Sequence, residues 1–193
     1  MPITSAQALN NATLHYGLQL ADKGIKAILI YPMNALATDQ ATRLAALIHG
    51  NAEARGKVTA GLFIGQPEEN PSKLMSADRI LTDRMHLTDH PPDILLTNYK
   101  MLDYLLMRPD HARLWRDNLD GQVLKYLVVD ELHTFDGAQG TDLACLIRRL
   151  KDRLQIPDNK LCCIGTSATL GSDASGESLL GYASQVFGEV FDE

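Results

Sequence analysis

Two adjacent carboxylates, Asp130 and Glu131, follow the run Tyr126-Leu127-Val128-Val129 and precede Leu132-His133. Four consecutive apolar or aromatic residues suit a strand buried on both faces, as in a parallel sheet covered by helices. Ligands of such sheets bind outside the carboxyl ends of the strands, which puts both acids in the expected cleft. There the first carboxylate can hold Mg²⁺ through water, and the second can orient or deprotonate a water that attacks a phosphate. The other use for an Asp-Glu pair is to cap the following helix, whose free N–H groups favour negative charge. Taken alone, the two residues leave both uses open.

The elements that position these acids are legible from periodicity. An amphipathic helix is expected over Ser5–Lys23, with Ala8, Leu9, Ala12, Leu14, Tyr16, Leu18 and Leu20 as its apolar face and Gly24 as its stop. Lys26–Tyr31 reads as a strand, and Ala35–His49 as a helix whose Leu36, Leu44, Leu47 and Ile48 recur near the 3.6-residue period. A strand follows near Val58–Ile64, then an exposed connection through Gln66-Pro67-Glu68-Glu69-Asn70-Pro71, then a helix over Ser72–Met85. Asp93–Thr97 is the next strand, with helical segments over Tyr99–Met107 and His111–Arg116. Beyond the acidic strand come a Gly137/Gly140 loop, a helix over Thr141–Leu154, a buried strand at Leu161–Gly165 and a helix at Glu177–Phe187. Alternating strands and helices imply a parallel sheet covered on both faces.

Composition narrows the function. The 193 residues carry a net charge of −6, which argues against a free-standing basic module that grips nucleic acid by bulk electrostatics. Helix N-termini can still hold phosphates through backbone N–H groups. No stretch approaches the ~20 apolar residues that span a bilayer, and Met1-Pro2-Ile3-Thr4 lacks the character of a signal peptide. The expectation is a cytoplasmic protein without membrane partners. Cys145, Cys162 and Cys163 encode neither a disulfide framework nor a zinc site and read as buried, reduced thiols. Arg148, Arg149, Lys151 and Arg153, interspersed with Asp152, read as a solvated helix face, and the single tryptophan, Trp115, as core.

Four of the strand ends carry short polar motifs. They are Pro32-Met33-Asn34-Ala35-Leu36-Ala37 with Asp39-Gln40, Thr97-Asn98-Tyr99-Lys100-Met101-Leu102, Asp130-Glu131-Leu132-His133, and Ser167-Ala168-Thr169. In this order and at this spacing the series resembles the first motor lobe of superfamily 2 helicases of the DEAD/DEAH type, from about residue 5 to the end. It is most similar to large bacterial DNA helicases of the Lhr-like kind: an Ala-Leu pair follows Pro32, and the acidic motif continues as His133-Thr134-Phe135-Asp136-Gly137. DEAD-box RNA helicases match less well, having Thr-Arg-Glu after the proline where this chain has Met33, Asn34 and Ala35.

The resemblance implies that residues 1–193 are a partial ATP-binding domain, an α/β RecA-like three-layer sandwich with a mainly parallel sheet. By that resemblance Asp130 coordinates Mg²⁺, Glu131 positions the hydrolytic water and His133 senses the nucleotide, ATP. Ser167, Ala168 and Thr169 couple nucleotide state to strand separation. Pro32, Asn34, Ala35, Thr97, Asn98 and Met101 line the surface that touches single-stranded or duplex nucleic acid, DNA above all. Simpler roles exist for several: a helix-end histidine, a turn after a strand, and helix caps at Asn34 and at Thr97 or Asn98.

One part of such a motor is not encoded. No G-x-x-x-x-G-K-[ST] loop stands before the strand at Ile28, and Thr4-Ser5 brings neither the glycines nor the lysine. The P-loop strand and the second motor lobe are therefore expected to be missing partners, with the absent strand belonging in the sheet interior beside those ending at Asp130 and Thr166. Its loss would uncover apolar surface and strand edges. The alternative reading is a non-catalytic module that keeps the fold of the lobe and binds nucleic acid or protein.

Overall fold

The computed structural model describes residues 22–66, 68–167 and 176–191. Five parallel strands, β1 (Ala27–Tyr31), β2 (Ala60–Phe63), β3 (Ile94–Asn98), β4 (Tyr126–Val129) and β5 (Cys162–Gly165), lie in the order β2-β3-β1-β4-β5. The helices are α1 (Asn34–Gly50), α2 (Arg84–Asp89), α3 (Tyr99–Met107), α4 (Gly137–Arg153) and α5 (Gly176–Phe187), with 3₁₀ segments at Pro109–Asn118 and Leu132–Thr134.

The period-2 geometry of a strand divides β1 between two cores. Ala27, Leu29 and Tyr31 meet α1 through Ala37, Ala41, Leu44, Ala45 and Ile48. Ile28 and Ile30 face the opposite layer, built from α3, α4, α5 and the 3₁₀ segment that carries Leu114 and Trp115. Because β1 is flanked by β3 and β4, every one of its five side chains is buried. Each fully buried Leu or Ile contributes about 1.5–3 kcal/mol of transfer free energy, which is why a nearly unbroken apolar run marks this central strand. Trp115 is wholly buried, and its Nε1–H donates to the Leu105 carbonyl at 3.1 Å, in keeping with a core role.

Several expectations need correction. Residues 72–83 form no helix; Leu81 instead pairs with Gly61, exchanging hydrogen bonds with Ala60 and Leu62, and Ile80 and Leu81 are buried along β2. The helix begins only at Arg84, after Asp83, whose side chain accepts from the His86 N–H at 2.8 Å. The helical segment expected over His111–Arg116 is present within a longer 3₁₀ stretch, Pro109–Asn118. α4 starts at Gly137, so Gly140 lies inside the helix. A Cβ on Gly140 would come within 2.6 Å of both the Phe135 carbonyl and the Tyr182 hydroxyl.

The cysteines are unpaired, as expected, but Cys145 and Cys162 are exposed and Cys163 is only partly buried. Burial, with the Glu189 carboxylate beside it, pushes the Cys163 thiol up to about 12. The basic helix face is satisfied locally: Arg149 pairs with Asp103, Lys151 with Glu189 at 2.6 Å, and Arg148 donates to the Gln185 carbonyl. β4 is bonded directly to β5, so no strand separates those ending at Asp130 and Thr166. Among the described residues only the outer edge of β5 is left open on that side. All of the Ser5–Lys23 helix except Asp22 and Lys23 lies outside the described residues.

His111 sits edge-on to Phe63 with ring centroids 5.4 Å apart and also packs on Tyr104. Burial lowers its pKa below the ordinary 6.5, Asp110 opposes that shift and Arg84 reinforces it. The unfolded chain therefore takes up this proton at a higher pH than the native state does. The stabilisation is complete above the unfolded pKa and is lost as pH falls through the native one. Denaturant midpoints are expected to fall between about pH 7 and pH 5 more steeply for the wild type than for His111→Phe. Equal slopes would refute the assignment.

Candidate active site

Strand β4 delivers Asp130 to its tip, where the Asp130 N–H still bonds to Ile30 of β1 at 2.9 Å. The next residue breaks from strand geometry. Glu131 adopts a left-handed conformation, φ 51° and ψ 49°, which is rare for a residue with a Cβ and costs on the order of 1–3 kcal/mol. Contacts on both sides hold it there. Its N–H donates to Thr166 Oγ1 at 3.2 Å, and its carbonyl accepts from both Thr134 N and Thr134 Oγ1 at 2.8 Å. The reversal leads into the short 3₁₀ turn that carries His133.

The acidic side chains differ in environment. Asp130 is buried, and Thr166 Oγ1 donates to its Oδ1 at 2.5 Å. Glu131 is partly exposed, with Oε2 3.3 Å from His133 Nδ1. His133 Nδ1 also lies 3.0 Å from Ser167 Oγ. Strand register makes this cluster possible: Val129 is opposite Gly165, so the residues after them meet. Gly165 itself permits the approach, since a Cβ there would come 2.7 Å from Leu132 Cδ2. The 3₁₀ turn after Glu131 receives no side-chain cap, and neither does α4, so the acids are not helix caps. Ala168 and Thr169 lie outside the described residues.

Two further strand ends meet beside this cluster. β1 pairs with β3 so that Tyr31 is opposite Asn98, and Asn98 Nδ2 donates to Asn34 Oδ1 at 2.6 Å. The same Asn98 caps α3 by accepting from the Met101 N–H at 2.8 Å. Asn34 is the first residue of α1 rather than its cap, and the preceding Met33 makes no side-chain cap bond. Ala35 is exposed and Pro32 half-buried, whereas Met101 packs partly into the core. Thr97 is buried and donates to the Phe63 carbonyl at 2.7 Å, tying β3 to β2, so its hydroxyl is committed within the sheet.

The carboxyl edge thus carries a row that the chain order does not reveal: Asn98, Pro32 with Asn34, Asp130 with Glu131, then Thr166 with Ser167. Two helix N-termini, α1 and α3, stand side by side at one end of the row, and unpaired N–H groups there attract phosphate. Beside them sit a buried carboxylate suited to a hard cation and a half-exposed one suited to a water. Thr166 is the member of the row that sequence reasoning passed over; a hydroxyl residue between an apolar run and Ser167 was its only signal, and the strand expected there to be buried, β5, is exposed to half-buried.

A profile of the DEAD/DEAH box helicase family matches residues 4–175. The chain belongs to that family. Within it the chain is 29% identical over 185 residues to the ATP-dependent helicase YprA of Bacillus subtilis, covering 93% of this chain and 22% of that protein. It is 30% identical over 163 residues to the Lhr helicase/uracil glycosylase of Escherichia coli, covering 82% of this chain and 9% of Lhr. Druantia protein DruE of E. coli is 43% identical over 105 residues, 52% of this chain and 6% of DruE. This chain therefore spans less than a quarter of each of these relatives. The crystal structure of the DUF1998 helicase MrfA superposes over the whole chain and 27% of its own length, with a TM-score of 0.69 at 26% identity. The sheet and its flanking helices are those of a RecA-like helicase motor lobe.

Proposed function

We propose that this chain supplies the acidic and coupling part of the first motor lobe of an ATP-driven DNA helicase or translocase. The observation that carries the reading is the adjacency of two pairs of strand ends. β4 and β5 bring Asp130, Glu131, His133 and Ser167 together, β3 and β1 bring Asn98 to Asn34, and β1 bonds to β4.

In this reading Asp130 holds Mg²⁺ through water, and Glu131 orients the attacking water and accepts its proton. When bound, Mg²⁺ neutralises charge on the transferring phosphate. The donor set suits such an ion: the buried Asp130 carboxylate offers a hard oxygen at the strand tip, beside the partly exposed Glu131. Mg²⁺ usually keeps several waters and takes only one or two carboxylates besides phosphates. His133 bridges Glu131 and Ser167, so a change at the water-positioning acid is felt at the β5 end. At the other end of the row, the α1 and α3 N-termini take backbone phosphates, which suits a chain whose net charge of −6 gives no bulk attraction. DNA rather than RNA is favoured because Met33, Asn34 and Ala35 stand where RNA helicases of the DEAD-box type carry Thr-Arg-Glu.

These 193 residues contain no Gly-Lys-Ser/Thr loop, so we assign the phosphate cradle, and the second lobe, to residues outside this sequence. Two measurements test the reading. The 193-residue chain alone is expected to show no Mg²⁺-dependent ATP turnover, and vigorous turnover that vanishes in Glu131→Gln would overturn the assignment of the cradle elsewhere. The full-length protein is expected to hydrolyse ATP with stimulation by single-stranded DNA. Nucleic-acid binding without hydrolysis would overturn the motor reading in favour of a binding module.

A further inference from the structure

We infer that Thr166 is the positioning residue of the acidic site, holding Asp130 and Glu131 at once through a hydroxyl whose proton has only one place to go; the inference rests on the motor reading above. Thr166 Oγ1 lies within hydrogen-bond distance of two groups, Asp130 Oδ1 at 2.5 Å and Glu131 N at 3.2 Å. A backbone N–H can only donate, so the hydroxyl accepts there and its own proton goes to the carboxylate, which when ionised can only accept. The arrangement is therefore directional. It sets the rotation of the Asp130 carboxylate and anchors the N–H of the left-handed Glu131.

The backbone of the same residue completes the hold. Thr166 N–H donates to the Val129 carbonyl at 3.0 Å, and the Thr166 carbonyl accepts from Leu132 N at 2.8 Å. The chain reversal at Glu131 is thus pinned at residues 131 and 132 by the one residue that follows the neighbouring strand. Ser167 does something different: its Oγ is 3.0 Å from His133 Nδ1. Thr166 serves the two acids, and Ser167 serves the histidine. An ordinary turn after a strand would need no hydroxyl aimed at a buried carboxylate.

The test uses the full-length protein with Thr166→Val, which keeps the shape and removes the hydroxyl, and Thr166→Ser, which restores it. Loss of a group that orients a metal-binding residue costs about 10–100-fold in metal affinity or activity. Thr166→Val is expected to lower kcat by about that factor and to raise the Mg²⁺ concentration for half-maximal turnover, with KM for ATP little changed at saturating Mg²⁺. Thr166→Ser should behave as wild type. Hydrogen exchange in the segment 128–134 should accelerate in the valine variant and not in the serine one.

Wild-type kcat and Mg²⁺ dependence in Thr166→Val would overturn the inference. So would equal damage in Thr166→Ser, which would assign the role to packing of the methyl group or to overall folding. Should the wild type hydrolyse no ATP, the motor reading fails instead. The exchange measurement then still decides: unchanged protection of the segment 128–134 in Thr166→Val would overturn the hydroxyl's hold on Glu131.

Discussion

ATP turnover by the full-length protein is expected to fall by about 10²–10⁴-fold in Glu131→Gln, the range that a positioned general base contributes. Glutamine matches glutamate in size, so the substitution separates chemistry from architecture. The contacts that hold residue 131 in its left-handed conformation are made by its backbone N–H and carbonyl, and glutamine keeps both. What it loses is the ability to take a proton from water. ATP binding should survive, so the variant should trap the nucleotide-bound state on DNA. Asp130→Asn should differ: weakening the hold on Mg²⁺ shifts the metal requirement as well as the rate. Steady-state kinetics with a Mg²⁺ titration separates the two acids. Glu131→Gln turning over within a few-fold of wild type would remove Glu131 from the chemistry.

The largest expected effect on stability lies at the opposite edge of the sheet. Lys26 is 3% exposed and Asp93 9% exposed, and Lys26 Nζ donates to Asp93 Oδ1 at 2.7 Å. The lysine also donates to the carbonyls of Asp22 and Gly24, while Asp93 Oδ2 accepts from both N and Oγ1 of Thr59. These groups clasp the starts of β1 and β3 and the residue before β2. In Asp93→Ala the ammonium stays buried without its counter-charge, a change that costs about 3–5 kcal/mol. At about 2–4 °C per kcal/mol for a domain of this size, thermal unfolding should drop by roughly 6–20 °C. Lys26→Met combined with Asp93→Leu should recover most of the loss, because removing both charges removes the desolvation cost as well. A melting temperature for Asp93→Ala within about 2 °C of wild type would mean that water reaches the lysine.

Much of this was legible in the residues. The apolar runs at Ile28–Tyr31, Ile94–Leu96 and Leu127–Val129 lie within strands because burial on both faces demands unbroken apolarity, and the structure buries all of them. Asp130 falls at a strand tip because charge ends such a run. Where local signals competed, the reading failed. A helix is expected over Ser72–Met85, yet Leu74 is 79% exposed and Leu81 extends the sheet edge at β2. The Ser72 carbonyl accepts from the N–H groups of Thr82 and Asp83, a long-range alternative to helical bonding that no short window reports. Gly140 reads as a loop residue, but it lies inside α4, with the Phe135 carbonyl and the Tyr182 hydroxyl too close for a Cβ.

Residue types alone determined that the chain carries two acids, a histidine and hydroxyl groups at strand ends, and therefore which chemistry is available. Tertiary structure alone decided which of them meet. Chain order separates Asn34 from Asn98 by 64 positions and Asp130 from Thr166 by 36. Their contact depends on strand order and register, which are set by packing two cores against opposite faces of β1 and β4. That is also why Thr166 was passed over: a hydroxyl becomes a positioning group only when a neighbouring strand, in register, puts a buried carboxylate within reach of its one proton.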